Sequence, residues 1–179
     1  MPMAATSGSW TLDQLHALPE DGNKYELVHG ELLVTPAPSF GHEVILALLT
    51  DILAPYVGEN RLGYVFRARA ALQFGESEVE PDLMVRSGNR ETSDWRSAPP
   101  PSLVVEVLSP TTRRRDRVRK RDFYLEAGVA EYWIVDPEAK TLTIVRRAEP
   151  DVVLGDAVRW HPAGASEPLD IPLSRLFGA

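Results

Sequence analysis

Cysteine is missing from all 179 residues, which excludes a disulfide framework, a thiolate metal site and a thiol nucleophile. Lysine is nearly missing: sixteen arginines stand beside only Lys24, Lys120 and Lys140. No uninterrupted apolar run approaches the ~20 residues that span a bilayer, and the start lacks a signal peptide's charged-then-apolar pattern. The expectation is therefore a cytoplasmic protein with no membrane partner. Positive charge is also short overall, and a net charge of −7 argues against a general nucleic-acid coat protein. What remains, 44% apolar and 25% charged, is ordinary globular composition. The length suits one domain over residues 10–179, able to bury about 70% of its unfolded surface. Residues 1–9, made of Met, Pro, Ala, Thr, Ser and Gly, read as a flexible N-terminus.

The charge that exists is unevenly placed. Residues 113–121 carry seven basic groups and one acid, a local +6, which leaves −7 − 6 = −13 for the rest of the chain. One anion-binding patch on an otherwise acidic protein fits that distribution.

The element order reads α, β-hairpin, α, β, β, β, α, β, β. Thr11 to Leu18 is a short helix, stopped at Pro19. Lys24–Val28 and Glu31–Thr35 flank His29-Gly30 as a hairpin. From Ser39 or Gly41 to about Val57, Val44, Ile45, Leu48, Leu49, Ile52, Leu53 and Tyr56 recur at helical spacing. Tyr64 to Phe74 alternates with period two, as one long strand or hairpin arm. Two strands around Asp82 and Glu106 follow, separated by a polar loop over 87–101. A helix from a Thr112 cap to Ala127 ends at Gly128. Ala130–Val135 and Thr141–Arg147 make a hairpin, and Val152–Trp160 is a late strand before an irregular tail. This is an α/β (α+β) arrangement: one mixed sheet with helices against it. The 112–127 helix is a crossover of the length parallel pairing requires.

Asp82 and Glu106 are acids inside apolar β-branched runs. An unpaired carboxylate there costs several kcal/mol, so each must be neutralised, paired or metal-bound. Strand periodicity puts Glu80, Asp82 and Met84 on one face, and Val104, Glu106 and Leu108 on one face of the other strand. On adjacent strands the two carboxylates can converge on a hard cation such as Mg²⁺, which takes one or two protein carboxylates and keeps several waters. Pro81 has no N–H to give a ladder, so the sheet should open beside Asp82. Lys120 differs chemically from the arginines around it, as a compact ammonium rather than a planar fork. Asp116, Lys120 and Tyr124 share one helix face, with Asp116 placed to hold the lysine. Arg113, Arg114, Arg115 and Arg117 crowd a helix start, where positive charge opposes the macrodipole unless it holds phosphate. His42 opens the long helix and faces either solvent or the sheet. Glu26 and Glu31 lie in the hairpin; Glu31 is a candidate third carboxylate, and alone each reads as solvent-facing. The bland alternatives are local amide bonds at Asp82, an arginine ion pair at Glu106, a surface salt bridge at Lys120, solvated loop charges for the arginines and a structural His42.

Taken together, Tyr25-Glu26-Leu27-Val28-His29-Gly30-Glu31-Leu32, His42, Pro81-Asp82-Leu83, Val105-Glu106-Val107-Leu108-Ser109-Pro110, Asp116, Lys120, Tyr124, Gly128-Val129 and Glu131-Tyr132-Trp133-Ile134-Val135-Asp136-Pro137 form a longer pattern. It resembles the Uma-two family of candidate restriction endonucleases, within the PD-(D/E)XK nuclease superfamily, from about Trp10 to Arg147. The resemblance implies a restriction-endonuclease-like fold, a central mixed sheet flanked by helices. It also implies cleavage of DNA with Mg²⁺ (Mn²⁺ as a substitute), often by a homodimer. By position it makes Asp82 and Glu106 metal ligands, the Val107 carbonyl a further ligand and Lys120 the catalytic lysine. His42 and Glu31 match positions near the site. One departure stands out: the superfamily pattern has lysine two residues after the acid, and here that residue is Leu108, so the resemblance implies a lysine moved to the helix. The rival reading is a catalytically silent DNA-binding or protein-interaction module on the same fold.

Overall fold

The computed structural model describes residues 9–88, 91, 94–109 and 115–178, with the side chains of 115–117 left out of that description. The flexible N-terminus read over residues 1–9 therefore falls outside it, Ser9 excepted, as do the Thr112 cap, Arg113 and Arg114. Sixteen elements follow in chain order: α1 (Leu12–His16), β1 (Lys24–Val28), β2 (Glu31–Thr35), α2 (Phe40–Glu59), β3 (Tyr64–Arg67), β4 (Leu72–Phe74), β5 (Ser77–Val79), β6 (Leu83–Arg86), β7 (Leu103–Val107), α3 (Arg115–Glu126), β8 (Tyr132–Asp136), β9 (Thr141–Val145), β10 (Val152–Leu154), β11 (Ala157–Trp160), β12 (Leu169–Pro172) and α4 (Ser174–Phe177).

A six-stranded sheet in the order β10-β9-β8-β7-β6-β3 forms the centre. β7 and β8 run parallel, joined through α3, and the other neighbours are antiparallel. A four-stranded sheet, β2-β1-β5-β4, and the β11–β12 pair complete the β structure. The central strands read as nearly continuous apolar runs because both of their faces are covered. On one face, Leu83, Val85, Val105 and Val107 pack with Ile45, Leu49 and Leu53 of α2 and with Trp160 and Ile171. On the other, Met84, Val104, Tyr132 and Ile134 pack with Phe123 and Tyr124 of α3 and with Val28, Leu33, Leu72 and Val79 of the smaller sheet.

Ser39 caps α2 through its side chain, supplying an acceptor to an otherwise orphaned amide. Contrary to the reading that nothing approaches a membrane span, α2 is long and apolar enough by length and composition, with mean hydropathy 1.4. Its apolar side chains serve the core instead. Ile45, Leu46, Leu49, Ile52, Leu53 and Val57 are buried, while His42, Glu43, Asp51 and Glu59 interrupt the run. Gly128 ends α3 at φ 80°, the left-handed conformation a C-terminal glycine supplies without a Cβ penalty.

Several strand readings of the sequence need correction, among them the late strand over Val152–Trp160, which is two: β10 in the six-stranded sheet and β11 paired with β12. The single long strand over 64–74 is two: after β3 the chain turns, with the Ala70 amide bonding to the Arg67 carbonyl at 3.0 Å. β3 then joins the six-stranded sheet and β4 the four-stranded one. Alternation persists through the turn because Phe66 before it and Ala70 and Leu72 after it pack into the same core. The break expected at Pro81, which offers no N–H, is present, separating β5 from β6 at Glu80-Pro81-Asp82. The tail is not irregular, since β12 pairs with β11 and α4 follows it. The chain thus crosses between the two sheets at 68–71 and again at 80–82, and both crossings border the same cavity.

Candidate active site

A cavity of about 700 Å³ opens where the sheets diverge, and its lining includes Lys24, His42, Asp82, Glu106, Val107 and Lys120. Asp82 occupies the break before β6, next to β7, whose Val105 pairs with Leu83. Its Oδ2 accepts a 2.9 Å hydrogen bond from the main-chain N–H of Val107 and lies 3.0 Å from His42 Nε2. Its Oδ1 accepts from Lys24 Nζ at 3.1 Å. Burial pushes the Asp82 carboxyl up, but the His42 bond and the charges of Lys24, His42 and Lys120 outweigh it and hold the group well below the usual carboxylate range. Asp82 is firmly ionised.

Glu106 is driven the other way. Its Oε1 accepts from Lys120 Nζ at 3.0 Å and from the Tyr124 hydroxyl at 2.5 Å. Burial, aided by the neighbouring Asp82 charge and opposed by the Lys120 charge, leaves its carboxyl pushed up to about 6. Two carboxylates of one cavity therefore differ widely in acidity, a mark of functional sites more than of structural ion pairs.

Lys120 is buried between two acids. Besides Glu106 it contacts both Glu26 oxygens, at 2.9 and 2.8 Å. Burial pulls the ammonium down, yet Glu106, Glu26 and Asp82 together raise it well above its ordinary value. Lys120 stays protonated and can donate but not act as a base. Lys24 makes a second ammonium, donating to the Glu80 carbonyl at 3.0 Å and lying 3.9 Å from Glu26. Burial opposes its charge too, and Glu26 and the other acids override that. His42 faces Asp82 through Nε2 and Glu43 through Nδ1, at 3.3 Å. Its burial is likewise outweighed, and its pKa lies above 6.5.

Of the residues picked from sequence, Asp82, Glu106, Lys120, His42 and Val107 come together in this cavity. Glu31 does not. Its carboxylate pairs with Arg119. Register places Glu31 opposite Val28, and Leu33 opposite Glu26, so Glu31 lies two strand positions, ~7 Å, further along the hairpin than Glu26. The carboxylate that shares Lys120 with Glu106 is Glu26, fully buried rather than the solvent-facing residue read from sequence. Its Oε1 also accepts from the Glu80 amide at 2.9 Å. Glu26 and Lys24 share a β1 face with buried Val28, and that parity is the signal that locates both. The hold on Lys120 comes from Glu26 and Glu106; the Asp116 side chain lies outside the described residues. Arg115 and Arg117 begin α3 with their side chains also outside that description, and Arg113 and Arg114 are outside it entirely.

Among the described residues no group of three or more His, Asp or Glu is arranged around a metal position. The donor set still fits a hard divalent cation of the magnesium type, which takes one or two carboxylates and fills its remaining positions with water and phosphate oxygens.

A family model described as "Putative restriction endonuclease", that of Uma2, matches residues 12–170. The chain belongs to the Uma2 family. A solved structure described as a "putative nuclease belonging to DUF820", from Anabaena variabilis, superposes with a TM-score of 0.80 over 93% of this chain and 97% of that one, at 24% identity. At that identity the likeness shows the fold. No curated protein matches the sequence. Family and fold are those of a restriction-endonuclease-like nuclease, a family class that generally works with a divalent metal.

Proposed function

We propose that this Uma2 chain is a divalent-metal-dependent endonuclease acting on DNA, with Asp82, Glu106 and the Val107 carbonyl holding Mg²⁺ or Mn²⁺. The observation that carries this reading is the meeting of Asp82, Glu106 and Lys120 in one cavity from three separate segments, a crossing loop, a strand and a helix. When bound, the cation supplies a lower pKa to water and polarisation to the phosphodiester. The chain's own residues do the rest. Lys24, His42 and the Val107 amide hold the Asp82 carboxylate in place and ionised. Tyr124 orients Glu106. Lys120, fixed in its protonated form by Glu26, donates to the attacking water or to a nonbridging oxygen of the phosphoryl group as negative charge builds there. A preorganised donor of this kind contributes on the order of 10²–10³ in rate.

Arg113, Arg114, Arg115 and Arg117 follow the cavity in sequence and, on this reading, hold flanking phosphates. A homodimer would place two such sites on one duplex. The test is nicking of supercoiled plasmid by the wild type in EDTA, Mg²⁺ and Mn²⁺, with Mn²⁺ affinity measured calorimetrically on the wild type and on Asp82→Asn. Metal-dependent cleavage, and metal binding lost in Asp82→Asn, is the expected result. Wild-type protein that binds no metal and cuts nothing would leave the acids as structural ion pairs.

A further inference from the structure

The cavity wall is chemically uneven. One stretch, Pro36-Ala37-Pro38-Ser39 between β2 and α2, lines it and is exposed throughout. Two prolines stiffen this stretch by fixing φ. It leads directly into Phe40, which is 87% exposed. Phe40 begins α2 one helical turn before Glu43 and Val44, so the three share a helix face. Glu43 lines the cavity, and Val44 is also exposed. Phe40 therefore directly continues this stiffened stretch of wall, with its phenyl ring bare. Another stretch of the wall, Arg67-Ala68-Arg69 at the first sheet crossing, carries two arginines; Arg67 pairs with Glu43, one helical turn after Phe40, and Arg69 is exposed.

An apolar lip and a basic one around the same opening match the two sides of an unpaired nucleic-acid strand, whose bases present flat π-faces while its backbone presents phosphates. A fully stacked duplex offers the rim phosphates alone and leaves an exposed ring without a partner. We infer that the cavity mouth takes a strand with at least one unstacked base, which Phe40 receives face to face while Arg67 and Arg69 hold the adjoining backbone. The inference deepens the nuclease reading and rests on it, by naming the substrate as single-stranded or locally unpaired nucleic acid.

The experiment measures binding, with Ca²⁺ in place of Mg²⁺, of a short single-stranded DNA and of its duplex. The single strand carries 2-aminopurine, whose fluorescence is quenched by stacking. Because base–aromatic stacking contributes ~1–3 kcal/mol by truncation, Phe40→Ala should weaken single-strand binding about ten-fold and relieve the quenching. Phe40→Trp should restore both, and duplex affinity should change less than about two-fold. Equal losses on both DNAs, or no loss on either, would overturn the inference. A self-associated protein that Phe40→Ala converts to monomer with DNA binding untouched would overturn it too, since the ring would then face a second copy. These failures are separable from failure of the nuclease reading, in which the wild type neither binds DNA nor cuts plasmid.

Discussion

Replacing Glu106 by glutamine should make the metal-free protein more stable, and only above a defined pH. Burial displaces the Glu106 carboxyl from 4.5 to about 6. About 1.5 pH units at 1.36 kcal/mol each is about 2 kcal/mol. The sign follows from linkage. With the folded value raised, the folded state takes up a proton near pH 6 and the unfolded state only near 4.5, so the wild type gains stability as pH falls through that window. Above pH 6 both states are ionised, and the folded protein carries the full cost of a buried charge. Glutamine mimics the protonated acid and can still accept from Tyr124 and Lys120. Glu106→Gln should therefore exceed the wild type by about 2 kcal/mol at pH 7.5 and match it below about pH 4.5. For a chain of this size that is a difference in Tm of about 4–8 °C. The assay is a series of thermal melts of both proteins from pH 4.5 to 8 in EDTA. Comparing the two proteins cancels the contributions of Asp82, whose lowered value costs stability only in acid, and of His42, whose raised value adds stability as pH falls. A destabilised variant, or a gap that does not change with pH, would refute the account of Glu106 as a charge the fold bears for its function. Added Mn²⁺ should reverse the order, raising the wild type and leaving Glu106→Gln nearly unmoved.

Two further outcomes test other parts of the site. Lys120→Met and Lys120→Arg should both lose cleavage, by about 10²–10³, in Mg²⁺ and in Mn²⁺ while keeping Mn²⁺ affinity, because a guanidinium cannot replace the compact ammonium held between Glu26 and Glu106; unchanged cleavage in both would return Lys120 to an ion-pairing role. Neutralising Arg113, Arg114 and Arg115 together should weaken DNA binding about equally across sequences and flatten the slope of log affinity against log salt by ~0.9 for each phosphate no longer neutralised, with a melting temperature unchanged or slightly raised; an unaltered salt slope would place these arginines against solvent or a protein.

Much of the fold was legible because local signals and tertiary packing agree. The hairpin strands β1 and β2 have the bounds read from sequence, since His29-Gly30 must turn and both of those residues have positive φ. The start of α2 near Ser39 was visible, and the length between Glu106 and Tyr132 required the parallel crossover that α3 makes. The failures share one cause. Periodicity reports that alternate residues are buried but not which sheet buries them, so β3 ran into β4 without a visible seam, while the break between β5 and β6 was expected. Pro81 marked one seam through its missing N–H. The turn at Ala68-Arg69-Ala70 has neither proline nor glycine, and nothing local announces it.

The candidate site was legible in Asp82, Glu106, His42 and Lys120 and illegible in Lys24 and Glu26, and Lys24 shows why. The scarcity of lysine that singled out Lys120 applies equally to Lys24, and two of the chain's three lysines do lie in the cavity. Lys120 drew notice because it stands in an arginine run, where the choice of ammonium over guanidinium is conspicuous; Lys24 stands alone before a strand, where a lysine is ordinary. Glu26 was hidden by the same setting, because a charged residue in a short hairpin normally faces water. A β1 strand buried on both faces reverses that expectation, and only the second core, packed between the two sheets, makes β1 such a strand. Glu31 was the better guess by local pattern, being beside a turn and near family positions, and it lost by two strand positions. Strand parity fixes which face a carboxylate takes. Its distance along the strand decides whether it reaches the site, and that distance is set by where the neighbouring sheet ends.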